Sequence, residues 1–453
     1  MNISVFGLGK VGSTLSACLG AAGNRVIGVD VYQELVNALN DGTFDTSEPG
    51  VMERLEQTPL GGFRATTDPA CAVCESDLSF VIVPTPSNTL GGFSLQYIFK
   101  ACDQIGAVLR SKAGEHTVAI VSTVLPGSSN SRIIPRLEQA SGRKIGDRLG
   151  YCYNPSFIAL GEIVKGIEQP DYLLIGESDS RSGDVVLSAH RSMMRNGAPI
   201  ARMSPVEAEI TKIASNTHET MRVSFANMLF AVCSEVPGAN VDRITEALAH
   251  RMGRRFFKGA VPYGGPCWPR DNVALTAFMD AIRVPSRLPH AVDLFNAEHA
   301  RYVLRKILAL SSVGQTVGIL GLAYKPGTPS VERSFAVDLA KWLAKEGRQV
   351  IGWDPLAMEE ACREAGRNVT FASSAEECLK QSNIAVIVNP LRELREVDWS
   401  AAPQTTIVDC WRCLSGDAIG KIHKYVPLGQ GPGGVVAGWL RDAVGEDFAL
   451  LTD

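Results

Sequence analysis

The 453-residue chain contains no run of the roughly 18 to 20 apolar residues that a membrane-spanning helix needs, so no membrane partner is expected. It also lacks any block or stripe of Lys and Arg. With 44 basic against 48 acidic residues the formal net charge is −4, which argues against a nucleic-acid partner. The N-terminus is apolar but has none of the basic stretch of a secretory signal, and it reads as strand, turn and helix. Zinc-ligand spacing is missing as well. Cys71/Cys74 and Cys410/Cys413 are isolated Cys-x-x-Cys pairs without Cys or His partners at a suitable distance, so no metal is expected. The eleven cysteines are odd in number and scattered, which favours reduced thiols in a cytoplasmic protein.

What the chain does have is length and apolar content. It is too long for one ordinary domain, so two or three are expected. Hydrophobic residues at 45% and charged residues at 20% are ordinary for a globular protein with large cores.

The first 30 residues carry the clearest signal. The apolar strand NISVF (2–6) runs into GLGKVG (7–12), then a helical stretch, then RVIGVD, a second strand ending at Asp30. Gly7 permits the tight turn, Gly9 lets a pyrophosphate approach the backbone, and Gly12 lets the helix pack on the sheet. The phosphates then meet a helix N-terminus whose unpaired N–H groups and dipole favour negative charge. Asp30, about 20 residues on, accepts from the ribose hydroxyls and repels a 2′-phosphate, so NAD is the expected cofactor.

Strand-like and helical runs then alternate. LSFVIVPTP (78–86), HTVAIVSTV (116–124) and YCYNPSF (151–157) read as strands, and YIFKACDQIGAVL (97–109) reads as a helix. That alternation predicts a parallel, doubly wound sheet. Ligands lie beyond the carboxyl ends of such strands, which gathers Pro84, Thr85, Ser122, Thr123, Asn154 and Pro155 near the glycine loop. Between Pro205 and Glu235 no Gly or Pro interrupts a long helical pattern. TVGILGLAYKP (316–326), RQVIGWDP (348–355), NIAVIVNP (383–390) and TTIVDC (405–410) predict a second α/β domain, with only a weak echo of the first and no G-x-G-x-x-G. The expected architecture is therefore α/β. A Rossmann-type sheet occupies 1–200, a central region with a long dimerisation helix occupies 201–311, and a second Rossmann-like domain occupies 312–453.

Two segments carry candidate chemistry. Lys212 and Asn216 lie four residues apart, on one helical face. Cys267 sits in GGPCWPRD (264–271), with Asp271 four residues beyond it. A cysteine taken alone reads as a small buried hydrophobe. Behind a shaped Gly-Gly turn, near a helix start and a lysine, it also reads as a thiol with a lowered pKa.

These segments resemble the UDP-glucose/GDP-mannose dehydrogenases, whose nucleophile motif is similar to Gly-Gly-Ser-Cys-Phe-Pro-Lys-Asp. Further matches stand in family order: the glycine loop, EPG (48–50), TTD (66–68), VPTP (83–86), Ser122-Thr123, Asn154-Pro155, Lys212-x-x-x-Asn216 and GLAYKP (321–326). The resemblance implies oxidation of a nucleotide-diphosphate sugar at C6, from alcohol to carboxylate, with two NAD used in turn. By that analogy Cys267 is the nucleophile and Lys212 and Asn216 stabilise the oxyanion. Asp271, with a water held by Thr123, handles protons. Gly7, Gly9, Lys10, Val11, Gly12, Asp30, Pro84, Thr85, Thr123 and Arg270 hold the cofactor. Asn154, Ser156, Lys212, Asn216, Arg251, Lys258, Gly264, Lys325 and Arg333 hold the substrate. Arg251 matches an arginine that reaches a neighbouring subunit, which implies a homodimer or a higher homo-oligomer.

The resemblance also fails at particular positions. The family's Asn-Pro-Glu, with a second Glu four residues later, here reads with Ser156 and Leu160 at the two glutamate positions. Arg-Glu-Ser becomes Glu332-Arg333-Ser334, Pro329 replaces an acidic residue, and Asp-Gly-Arg becomes Asp409-Cys410-Trp411-Arg412. Two readings follow: a full nucleotide-sugar 6-dehydrogenase, or an altered member that stops at the aldehyde or the thioester. A nucleotide-sugar-binding protein without turnover is a third. A simple β-hydroxyacid dehydrogenase explains the glycine loop but not the cysteine segment.

Overall fold

The computed structural model describes residues 1–432. Residues 433–453, the last part of the expected C-terminal domain, lie outside the described residues. The chain divides into two compact units, Met1–Ser215 with Val273–Pro285, and Asn216–Asn272 with the chain from Ser286 onward. The central region expected over 201–311 is thus shared between the two units.

The first unit holds eight strands: β1 (Asn2–Phe6), β2 (Arg25–Val29), β3 (Phe63–Thr66), β4 (Leu78–Val81), β5 (His116–Ile120), β6 (Leu149–Tyr153), β7 (Leu173–Glu177) and β8 (Ile200–Met203). Their order is β3-β2-β1-β4-β5-β6-β7-β8. Winding reverses between β1 and β4, which opens the crevice beside the loop after β1. Alternate residues feed the two faces. Ile3, Val5, Leu78, Phe80 and Ala119 face one core, whereas Phe6, Val81, Val118, Ile120 and Tyr151 face the other. The sheet is not wholly parallel, because β6 and β7 pair antiparallel. Mixed sheets of this kind carry an antiparallel step near an edge. The strand β8 begins at Ile200, the residue where the first domain was expected to end.

The second unit holds β9 (Thr316–Leu320), β10 (Gln349–Trp353), β11 (Val369–Phe371), β12 (Ile384–Ile387), β13 (Thr406–Asp409) and β14 (Lys424–Pro427). They pair parallel throughout, in the order β11-β10-β9-β12-β13-β14. The echo between the two ends of the chain is closer than the sequence indicates. Gly7 and Gly321 take φ values of 92° and 94°. Asp30 accepts from Leu8 N at 2.7 Å, and Asp354 accepts from Leu322 N at 2.8 Å.

The uninterrupted helix spans Pro205–Glu235, as its lack of internal Gly and Pro predicts. Helices Trp268–Ala281 and Arg287–Leu310 follow. Among the described residues no helix is long and apolar enough to cross a membrane.

Candidate active site

In the first unit the glycine loop is built by sterics. A Cβ on Gly7 would lie 2.3 Å from the Ile82 carbonyl oxygen, and one on Gly12 would lie 1.8 Å from that of Gly7. Both glycines are therefore required by the fold. Gly9 differs: a Cβ there would meet nothing within 4 Å. It caps the helix Lys10–Ala21 with no side chain over the first N–H groups, which leaves them for an anion. Asp30 holds Leu8 N on one oxygen and Tyr32 N, at 3.1 Å, on the other. A carboxylate has about four acceptor sites, so capacity for ribose hydroxyls remains. These residues fit NAD. Lys10 is exposed and Val11 half-buried beside them.

The loops after β4 and β5 are tied together. Ser122 Oγ donates to Val83 O at 2.6 Å and accepts from Val83 N, while Thr85 Oγ1 donates to Thr123 O at 2.9 Å. Pro84, Thr85 and Thr123 thus lie on two loops joined by side-chain hydrogen bonds. Glu209, which the sequence reading missed, accepts from Gly127 N, Ser129 N and Ser129 Oγ. Burial lifts its carboxyl above the usual range against the pull of those donors.

Lys212 donates to the carbonyl oxygen of Ser156 at 2.8 Å and lies 4.6 Å from the centroid of the Phe157 ring. The lysine therefore sits against the segment in which the resemblance leads one to look for a carboxylate. Leu160 packs on the apolar core, and Glu162 faces solvent beside Lys165 at 3.1 Å. Asn154 is turned inward. Its Nδ2 donates to Leu174 O at 2.9 Å and its Oδ1 lies 2.7 Å from His190 Nε2. Burial pushes His190 down to about 4, so it stays neutral there.

In the second unit Cys267 is exposed and stands directly before the helix Trp268–Ala281. Asp271 N donates to Cys267 O at 2.8 Å, closing the first turn. The buried Asp271 carboxylate accepts from Asn216 Nδ2 at 2.6 Å and from Arg270 Nε at 3.2 Å. The Gly-Gly turn is sterically enforced. A Cβ on Gly264 would lie 2.1 Å from Arg333 O, and one on Gly265 would lie 2.6 Å from the Tyr324 ring. Gly265 N also donates to Glu332 O. The turn is thus brought against the segment that carries Lys325 and Arg333. Arg251, in the last turn of helix Val241–Met252, and Lys258 are exposed.

Arg412, displaced by one residue from the family pattern, has an almost wholly buried side chain. It binds both oxygens of Asp242 and the carbonyls of Gly259, Cys410 and Leu428. Its donors are consumed inside the protein. No disulfide joins any of the eleven cysteines, and among the described residues no His, Cys, Asp and Glu cluster could hold a metal.

Comparison with known proteins gives one picture. Residues 1–194 match the NAD binding domain of the UDP-glucose/GDP-mannose dehydrogenase family, residues 206–298 its central domain, and residues 318–416 its UDP binding domain. The chain is 32% identical to the UDP-glucose 6-dehydrogenase AglM of Haloferax volcanii over 92% of this chain and 97% of that protein. It is 34% identical to a GDP-mannose 6-dehydrogenase of Pseudomonas syringae pv. syringae over 83% of this chain and 85% of that protein. The structure of a UDP-glucose dehydrogenase from Pyrobaculum islandicum matches with a TM-score of 0.85 at 29% identity, covering 94% of this chain and 97% of that one.

Proposed function

The chain belongs to the UDP-glucose/GDP-mannose dehydrogenase family, and we propose that it oxidises the C6 alcohol of a nucleotide-diphosphate sugar to the carboxylate. The observation that carries this reading is Cys267, exposed at the end of an enforced Gly-Gly turn and one helical turn before the buried Asn216–Asp271 pair. When bound by Gly7, Gly9, Lys10, Val11, Gly12, Asp30, Pro84, Thr85, Thr123 and Arg270, NAD supplies the hydride acceptor for both oxidations.

The protein's own work lies in holding and trapping the sugar. After the alcohol is oxidised to the aldehyde, Cys267 Sγ attacks C6 and forms a thiohemiacetal. Loss of a second hydride from that carbon leaves a thioester. Water then adds, the C–S bond breaks, and the carboxylic acid and the thiol are released. Lys212 and Asn216 stabilise the oxyanion that develops at C6. Asp271, with a water on Thr123, moves the protons. Lys258, Gly264, Lys325 and Arg333 hold the nucleotide diphosphate, and Asn154 and Ser156 shape the sugar end. Arg251 reaches a neighbouring copy in a homodimer or higher homo-oligomer. The exposed apolar stripe Phe225, Met228 and Val232 on the long helix supports that assembly. A cytoplasmic location belongs to the same reading.

One observation favours the second reading. Ser156 and Leu160 leave the segment facing Lys212 without a carboxylate, and Leu160 is given over to packing. The test is the NADH released per sugar, with UDP-glucose, UDP-N-acetyl sugars and GDP-mannose offered in turn. Sustained turnover at two NADH per sugar supports the full dehydrogenase. One NADH, or a burst that stalls with a mass adduct on Cys267, supports the altered member. Silence with every sugar sinks both.

A further inference from the structure

Tyr263 stands immediately before the Gly264–Gly265 turn, and both its backbone and its hydroxyl are held. Its N–H donates to Asn296 Oδ1 and its carbonyl accepts from Asn296 Nδ2, each at 3.0 Å. The hydroxyl donates to Asp293 Oδ1 at 2.7 Å. Its ring meets the edge of Trp268, the residue after Cys267, at a centroid distance of 6.1 Å. Farther back, His299 Nε2 lies 2.7 Å from Ala260 O. Burial pushes His299 down to about 4, so it bonds as a neutral ring. From the long helix Pro205–Glu235, Asn227 Oδ1 takes Ala260 N at 2.8 Å and its Nδ2 donates to Val261 O at 3.1 Å.

Asp293, Asn296 and His299 recur at every third position of the helix Arg287–Leu310, so they form one ridge along it. A side-chain amide that takes both the N–H and the C=O of one residue does what a neighbouring strand does. Asn296 grips Tyr263 in that way, and Asn227 holds the N–H of Ala260 and the C=O of Val261 next to it. The loop they grip has no strand of its own and ends in two glycines, the residue type with the most conformational freedom to lose.

We propose that this ridge, with Asn296 at its centre, positions the nucleophile: it pins Tyr263 so that the turn delivers Cys267 to the first turn of helix Trp268–Ala281. Asn296 acts through Tyr263, so it is a positioning residue and not a catalytic one. The inference rests on the reading of Cys267 as the nucleophile.

The test reads the sulfur itself. Full-length wild type and Asn296→Ala are treated with iodoacetamide at pH 7, and modification is followed at each cysteine peptide by mass spectrometry. A sulfur that strays from the helix N-terminus loses help in ionising, so modification of Cys267 slows about 3- to 10-fold. Modification of the exposed Cys362 is unchanged. In turnover, kcat falls about 10- to 100-fold while KM for NAD holds. A Cys267 rate equal to or above wild type overturns the proposal. If Asn296→Ala does not accumulate as folded protein, Tyr263→Phe removes only the hydroxyl's bonds to Asp293 and Asn272. It slows Cys267 about two- to threefold, and an unchanged rate overturns the proposal equally. Wild type that is inactive on every nucleotide sugar sinks the dehydrogenase reading instead and leaves the iodoacetamide comparison standing.

Discussion

Asn216 Nδ2 donates to Asp271 Oδ2 across 2.6 Å, and Asp271 N donates in turn to the carbonyl oxygen of Cys267. A residue of the long helix is thereby linked, through one buried carboxylate, to the turn that presents the thiol. The two ends of that link are 51 residues apart in the chain, counted from 216 to 267.

Removing the donor exposes the cost of the arrangement. Asn216→Ala leaves a buried carboxylate short of a hydrogen bond, which lowers stability by about 1–3 kcal/mol. If Asn216 also steadies the oxyanion, turnover falls about 10²- to 10³-fold. Urea denaturation and steady-state NADH release check the two effects separately. A variant with wild-type stability and rate contradicts both.

Cys267→Ser tests the nucleophile directly. The side chain is exposed, so the variant folds with an unchanged melting temperature. Acid formation drops by at least about 10³-fold, because a weakly nucleophilic hydroxyl replaces the sulfur. Full activity in the serine variant eliminates covalent catalysis at this residue.

The glycine loop separates fold from binding. Gly12→Ala forces a Cβ to within 1.8 Å of a carbonyl oxygen, whereas Gly9→Ala puts one into open space. The first therefore destabilises the domain by several kcal/mol, about as much as a severe core overpacking. The second melts like wild type yet weakens NAD at least about 10-fold, since its methyl occupies the pyrophosphate approach. Thermal melts beside NAD titrations settle the contrast, and tight NAD binding by Gly9→Ala refutes the assignment.

Buried histidines set the acid limit. Burial holds His190 and His299 at about 4 and His116 at about 3, all below the ordinary value near 6.5. Between those limits the unfolded chain binds protons that the folded one refuses. Stability is therefore complete above pH 6.5 and is lost as pH falls toward 4, by about 3 kcal/mol per histidine. Urea midpoints at pH 7.5 and pH 5 measure it. Equal midpoints contradict the burial of these rings.

Much of the fold was readable from pattern. The helix Pro205–Glu235 shows as a stretch free of internal Gly and Pro, and β1, β4, β5 and β9 show as apolar runs ending in turn residues. Strands β7 and β8 did not show. Both are short, β7 carries Gly176, and β8 places Arg202 within its four residues. Arg202 is steadied by Glu177 and Asp184, partners that no local period reveals.

The candidate site divides along the same line. The glycine loop, Asp30, and the order of Lys212, Asn216, Cys267 and Asp271 stand in the sequence because each depends on neighbours a few residues away. Turn geometry and helix period are local properties. The folded chain alone establishes that Lys212 docks on the Ser156 carbonyl, that His190 closes over Asn154, and that Arg412 spends its donors on Asp242 and three carbonyls. It also brings the ridge of Asp293, Asn296 and His299 against Tyr263 and Ala260, in the loop that precedes Cys267. Apart from the carbonyls of Cys410 and Leu428, which are near Arg412 in the chain, those partners lie 30 to 170 residues apart, and spacing carries no record of which buried polar groups will satisfy one another.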